Sequence, residues 1–110
     1  MNIEKGNSEY YKISVVKDKK EIGRCFIFLI RNELHKNPYA LLEDVFVDES
    51  MRGQGIGTEL VKKAIELAKN LGCYKIIATS RETRENVHKL YEKLGFKKWG
   101  FEFRIDFNGE

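Results

Sequence analysis

The stretch that decides the fold runs from Ala40 to Gly72, ALLEDVFVDESMRGQGIGTELVKKAIELAKNLG. In Ala40–Val47 the residues Leu41, Leu42, Val45, Phe46 and Val47 are apolar on both faces, interrupted only by Glu43-Asp44. That pattern predicts a central strand with a polar break that marks a bulge or a site. From Ile56 the apolar residues Leu60, Val61, Ala64, Ile65, Ala68 and Leu71 recur at spacings of three and four, which predicts a helix stopped by Gly72. Its solvent face carries Lys62, Lys63, Glu66 and Lys69.

On the N-terminal side, Tyr10–Lys17 is rich in aromatic and β-branched residues, and Ile22–Arg31 holds the apolar run Cys25–Ile30. With the charged turn Asp18-Lys19-Lys20 between them they predict a β-hairpin. Arg31–Tyr39 is polar, contains the single proline Pro38, and reads as a loop. On the C-terminal side, Tyr74–Thr79 reads as a buried strand. Val87, Leu90, Tyr91 and Leu94 form the stripe of a second helix ended by Gly95. Phe101, Phe103, Ile105 and Phe107 alternate with Glu102, Arg104 and Asp106, so Phe96–Phe107 is expected as a closing half-buried strand. The order β-β-β-α-β-α-β describes an α+β fold with a mixed, mostly antiparallel sheet and a right-handed central crossover. Residues 1–110 are expected to form a single domain without internal repeats.

The 110 residues are 42% hydrophobic, 12% aromatic and 34% charged, the make-up of a folded soluble domain rather than a disordered or collagen-like chain. No apolar block near the N-terminus resembles a signal peptide and the longest apolar run is far too short to span a bilayer, so a cytoplasmic protein that binds no membrane is expected. The net charge of +3 arises from 20 basic and 17 acidic residues spread along the chain. No basic block argues for nucleic acid, and Lys17–Lys20 reads as a solvated turn. Cys25 and Cys73 make no disulfide framework, and neither they nor His35 and His88 have a metal-site spacing, so reduced thiols and no metal are expected.

Arg52-Gly53-Gln54-Gly55-Ile56-Gly57 lies between an expected strand and the first turn of an expected helix. Three glycines in five positions let the backbone amides converge without Cβ obstruction, and the positive end of a helix adds to their pull on an anion. The alternative is a ligand-free turn. A nucleotide-hydrolase P-loop would need a Gly-Lys pair, which is absent, and the evenly spaced glycines do not match the dinucleotide fingerprint.

The loop resembles the acyl-CoA pyrophosphate signature Arg/Gln-x-x-Gly-x-Gly/Ala of the GNAT superfamily of N-acetyltransferases. Asn86–Phe96 is similar to its second motif, an Asn opening a helix, then Leu90-Tyr91 and a Gly95-Phe96 exit. Leu42-Glu43-Asp44 looks most like the diamine branch. The resemblance implies an enzyme that uses acetyl-CoA to acetylate a primary amine, carried by a small molecule or a protein, by direct attack in a ternary complex. It implies backbone contacts to the pantetheine arm from Val45, Phe46 and Val47, and pyrophosphate binding by Arg52, Gly53, Gln54, Gly55, Ile56, Gly57 and Thr58. Further cofactor contacts are implied for Asn86, Tyr91 and Lys93, with Asn86 as a plain helix cap the competing view. Tyr91 is the expected acid toward the departing thiolate, although it also falls on the apolar stripe, and Glu43 is the candidate base, with Asp44 as a cation-binding neighbour. Pairing of Glu43 with a lysine is the alternative. Members usually begin with a strand and two helices that wall the acceptor site, whereas only Met1–Glu9 precede the first strand expected here. An open acceptor side or a homodimer that completes it is the corresponding expectation, and a non-catalytic acyl-CoA-binding or interaction domain is the alternative to the enzyme.

Overall fold

The computed structural model describes residues 1–81 and 84–108, and the chain forms two compact units, Met1–Ala78 and Thr79–Glu110. In the first, β1 (Tyr10–Lys17) and β2 (Lys20–Ile30) form the expected hairpin. Its turn contains only Asp18 and Lys19, both left-handed at φ 51 and 65, the geometry that suits the right-handed twist of the flanking strands. β3 (Tyr39–Val47) lies antiparallel to β2, and β4 (Ile76–Ala78) lies parallel to β3, giving the order β1-β2-β3-β4. The crossover between β3 and β4 is α1 (Ile56–Asn70).

α1 ends where Gly72 adopts φ 81, with the Gly72 amide donating to the Lys69 carbonyl at 3.0 Å and the Cys73 amide to the Ala68 carbonyl at 3.0 Å. This Schellman closure satisfies two carbonyls that the helix end would otherwise leave bare. Of the strand expected over 74–79 only Ile76–Ala78 enters the ladder, preceded by a bond from the Tyr74 amide to the Pro38 carbonyl at 3.1 Å and one from the Ala40 amide to the Lys75 carbonyl at 3.0 Å.

The register assigns the two faces of the sheet. Cys25, Ile27 and Leu29 on β2 and Ala40 and Leu42 on β3 are buried, as are Leu60, Val61, Ala64 and Ala68 of α1. The Cys25 thiol approaches the Leu60 carbonyl at 3.8 Å, so this is the face that α1 covers. Burial pushes the Cys25 pKa up to about 11. Gly23 lets the helix come this close, since a Cβ there would lie 3.0 Å from Ile56 Cγ2 and 3.2 Å from Leu60 Cδ1. The opposite face carries Tyr10 and Lys12 from β1, Arg24, Phe26 and Phe28 from β2, and Leu41 and Glu43 from β3.

In the second unit, α2 (Glu85–Lys93) closes on Gly95 at φ 103, with the Phe96 amide donating to the Tyr91 carbonyl at 3.0 Å. The rings of Tyr91 and Phe96 meet at 5.2 Å, the apolar contact that accompanies this closure. The closing strand expected over Phe96–Phe107 is not formed among the described residues. Trp99, Phe101, Phe103, Ile105 and Phe107 are instead 79–92% exposed. Alternation sorts side chains onto two faces but creates no partner edge, and a strand exists only where its backbone finds one. No described helix is long and apolar enough to cross a membrane.

Truncating Ile27, fully buried under α1, is expected to cost about 2–5 kcal/mol in Ile27→Ala, whereas Trp99→Ala changes stability by less than about 0.5 kcal/mol. Urea unfolding of the two variants checks the contrast, and equal losses would contradict the packing described.

Candidate active site

The polar break in β3 is a β-bulge. Glu43 pairs with Phe26 and Phe46 with Arg24, so three steps on β3 oppose two on β2, and Asp44 absorbs the extra residue at φ 52. Aspartate tolerates this left-handed conformation better than most side chains because its short polar group bonds locally. Strict alternation would send Glu43 and Asp44 to opposite faces. The bulge instead lets the Asp44 carboxylate accept from Arg24 Nε at 2.9 Å, on the face that also carries Phe26.

A chain of charges follows from this placement. The Arg24 guanidinium, its pKa raised chiefly by the hydrogen bond to Asp44, also reaches Glu21 at 3.6 Å and lies over the Phe46 ring at 4.6 Å. Glu21 is further held by Lys12, whose hydrogen bond is the main reason its pKa is lowered. Asp44 therefore has its own cation and is not a spare charge for a ligand. The Glu43 carboxylate takes part in no ion pair or hydrogen bond among the described residues, so its expected alternative as the partner of a lysine is not seen. Phe26 is a site residue that the sequence hides inside the apolar run Cys25–Ile30, and Arg24 is one that directly precedes that run. Only their alternation with the buried Cys25 and Ile27 would have signalled them.

Beyond the bulge, the other edge of β3 is bare. Pairing with β4 ends at Leu42 opposite Ala78, while β3 continues to Val47, so the outer backbone groups of Glu43–Val47 have no strand beside them among the described residues. The chain then turns through Glu49–Met51 into the glycine loop. Gly53 and Gly55 both adopt φ 82, and a Cβ at either would meet nothing within 4 Å, which leaves open space beside the loop. Gly55 is the N-cap of α1, and the first amide of the helix to find a backbone acceptor is that of Glu59, on the Gly55 carbonyl at 3.0 Å. The amides of Ile56, Gly57 and Thr58 thus stand at the positive end of a 15-residue helix.

Two expectations about this region change. Arg52, expected among the pyrophosphate contacts, instead has its Nε donating to the Val47 carbonyl at 3.1 Å. That bond ties the loop to the end of β3 and occupies one of the backbone groups assigned to ligand. In the second unit Asn86 is not the cap of α2, since the helix begins at Glu85 with Arg84 at the cap position. Asn86 lies in the first turn, beside an open depression of about 430 Å³ lined by Arg84, Glu85, Asn86 and Val87. Tyr91 and Lys93 lie on the last turns of the same helix. Both thiols are held protonated near neutral pH: burial raises Cys25, and burial also raises Cys73 against a smaller downward pull from Arg31. Neither has the depressed pKa of a cysteine nucleophile.

Residues 2–96 match the family described as Acetyltransferase (GNAT) family. The chain is 42% identical over 65 residues to a glucosamine 6-phosphate N-acetyltransferase of Trypanosoma brucei brucei, covering 59% of this chain and 42% of that protein. It is 34% identical over 80 residues to the spermine/spermidine N(1)-acetyltransferase of Bacillus subtilis (strain 168), covering 72% of this chain and 51% of that protein. It therefore spans about half or less of the length of these curated relatives. Among solved structures, a putative acetyltransferase from Agrobacterium tumefaciens str. C58 superposes with a TM-score of 0.77 at 30% identity, over 87% of this chain and 69% of the other.

The left-handed Asp44 gives a direct check on the bulge. Asp44→Val is expected to destabilise the fold by about 1–2 kcal/mol more than Asp44→Asn, because a β-branched residue is strained at this φ and Asn is not. Both changes remove the charge facing Arg24, so equal unfolding midpoints in urea would show that no such strain exists.

Proposed function

We propose, for a chain that belongs to the GNAT family of acetyltransferases, that it transfers an acetyl group from acetyl-CoA to a primary amine held at the β3 bulge. The observation that carries this reading is the bare edge of β3 running directly into the glycine loop and the N-terminus of α1. An extended pantetheine arm needs strand-like backbone donors and acceptors, and a pyrophosphate needs converging amides. The two lie in succession along one segment of chain.

The residues fit the cofactor chemically. The amides of Gly53–Thr58 would bind the pyrophosphate, with Gly53 and Gly55 leaving the space beside the loop clear of side chains. Val45 and Phe46 would offer backbone groups to the arm, while Val47 and Arg52 brace each other and fix where β3 ends. Bound acetyl-CoA supplies an activated thioester carbonyl. Glu43 would hold the ammonium of the acceptor and take up a proton as the nitrogen attacks. The Tyr91 hydroxyl would supply a proton to the leaving sulfur, and Asn86 and Lys93 would complete the cofactor contacts from α2. No covalent acyl-enzyme is needed, in keeping with two thiols that are both held protonated.

Calorimetric titration with acetyl-CoA tests the loop. Gln54→Glu, which adds a charge at a site without backbone strain, and Gly55→Glu should each abolish binding while circular dichroism stays native. Wild-type affinity in both would refute the assignment. For the chemistry, Tyr91→Phe is expected to lower kcat by about a hundredfold with little change in acetyl-CoA affinity. An unchanged kcat would remove Tyr91 from the proton path.

A further inference from the structure

The face of the sheet opposite α1 is organised around one carboxylate. Glu43 stands across from Phe26, and Lys12 stands across from Phe26 on its other side. One row further along, Leu41, Phe28 and Tyr10 lie side by side. The Phe26 and Phe28 rings are stacked at 6.1 Å with an interplanar angle of 21°, and Tyr10 lies 5.4 Å from Phe28 and 6.1 Å from Phe26. Tyr10 is 61% exposed, while Phe26, Phe28, Leu41 and Glu43 are half-buried. The aromatic surface is thus continuous and reaches solvent at its outer end.

Among the described residues the cations nearest Glu43 are matched, while Lys75 lies further along the face over the Tyr39 ring at 4.9 Å. Arg24 is held by Asp44 and Glu21, and Lys12 by Glu21, with its ammonium 5.9 Å from the Phe26 ring centre. Glu43 has no such partner among the described residues. A ligand approaching β3 here meets a single negative charge bordered by aromatic and aliphatic carbon. An ammonium fits both features, because it pairs with the carboxylate and is attracted to the face of an adjacent ring. A phosphate or carboxylate on the ligand would meet Glu43 unfavourably and find both nearby cations already committed. A polyamine would lay its further ammonium groups along Phe26, Phe28 and Leu41, where the ring faces attract them but no second carboxylate among the described residues pairs with them.

We infer that the acceptor is a monoamine carried on an aromatic or alkyl body, with its nitrogen on Glu43 and its body laid along Phe26 and Phe28. The inference rests on the acetyl-transfer reading above and names its substrate class. In the transfer, the ammonium gives one proton to Glu43 and its freed lone pair forms the C–N bond to the acetyl carbon. The C–S bond breaks with its electron pair leaving on sulfur. The nitrogen sheds its second proton as the amide forms. One of the two protons ends on the thiol and one in solvent, and nothing is oxidised or reduced.

The test is thiol release from acetyl-CoA by the 110-residue chain with 2-phenylethylamine, hexylamine, spermidine and glucosamine 6-phosphate. The first two are expected to exceed the others in kcat/KM by at least about tenfold, the scale at which an apolar pocket discriminates. Phe26→Ser should raise KM for 2-phenylethylamine by about tenfold with acetyl-CoA affinity unchanged by calorimetry. Phe28→Leu, a milder change, guards against misfolding and should lower the preference for phenylethylamine over hexylamine. Preference for spermidine or glucosamine 6-phosphate overturns the inference and leaves acetyl transfer standing. Acetyl-CoA binding without turnover of any amine also overturns it while sparing the cofactor assignment, and loss of acetyl-CoA binding itself overturns both.

Discussion

One extra residue in β3 governs what this sheet can present. Without the slip at Asp44, Glu43 and Asp44 would face opposite sides, and Arg24 would keep only the more distant Glu21 at 3.6 Å as a carboxylate partner. With it, Asp44 is drawn onto Arg24 at 2.9 Å, Phe46 comes opposite Arg24, and Glu43 is left without a cation. The strained φ of 52 at Asp44 is a local cost offset by the ion pair and by the ladder, which resumes in register on both sides. A bulge of this kind also bends its strand, and the ladder to β4 reaches no further along β3 than Leu42, the residue before Glu43.

The helix side of the sheet is coupled to the same strand by close packing. Gly23 admits Ile56 and Leu60 at distances that a side chain would fill, which fixes the start of α1 against β2. Because Ile56 directly follows the N-cap Gly55, seating it also positions the glycine loop. The Arg52–Val47 hydrogen bond joins that loop to the end of β3. The glycine loop and the bare edge of β3 are therefore held by one set of contacts, and the core itself provides the preorganisation that a bound anion would need.

The hairpin, β3, α1 and α2 were legible because each combines a clear period with a chemical stop: two residues able to take positive φ at 18 and 19, and glycines at 72 and 95 that close helices in the left-handed region. The left-handed turns of the glycine loop were legible for the same reason, since backbone freedom at Gly53 and Gly55 is something a sequence displays directly. Phe96–Phe107 misled because its alternation is as regular as that of β1 but says nothing about a partner edge. Phe26 escaped notice because an alternating strand buried on one face and aromatic on the other reads as an unbroken apolar run, and Arg24 because a charge flanking such a run reads as its solvated edge. Asn86 was misplaced by two positions relative to the cap, a boundary that depends on which residue first turns helical rather than on which residue caps best.

The part of the site that sequence could not reveal is the balance of charge on the outer face. Glu21, Arg24, Asp44 and Lys12 are separated by up to 32 positions in the chain, and nothing in their spacing says that they neutralise one another. Their pairing, however, decides what Glu43 can do. If Arg24 were free, the face would offer a cation beside a carboxylate and would suit an amine that also carries an anion. With Arg24 committed to Asp44 and Glu21, the same residues describe a lone carboxylate on an aromatic floor. The chemistry of the site thus turns on a salt link that itself exists only because one residue of β3 has slipped out of register.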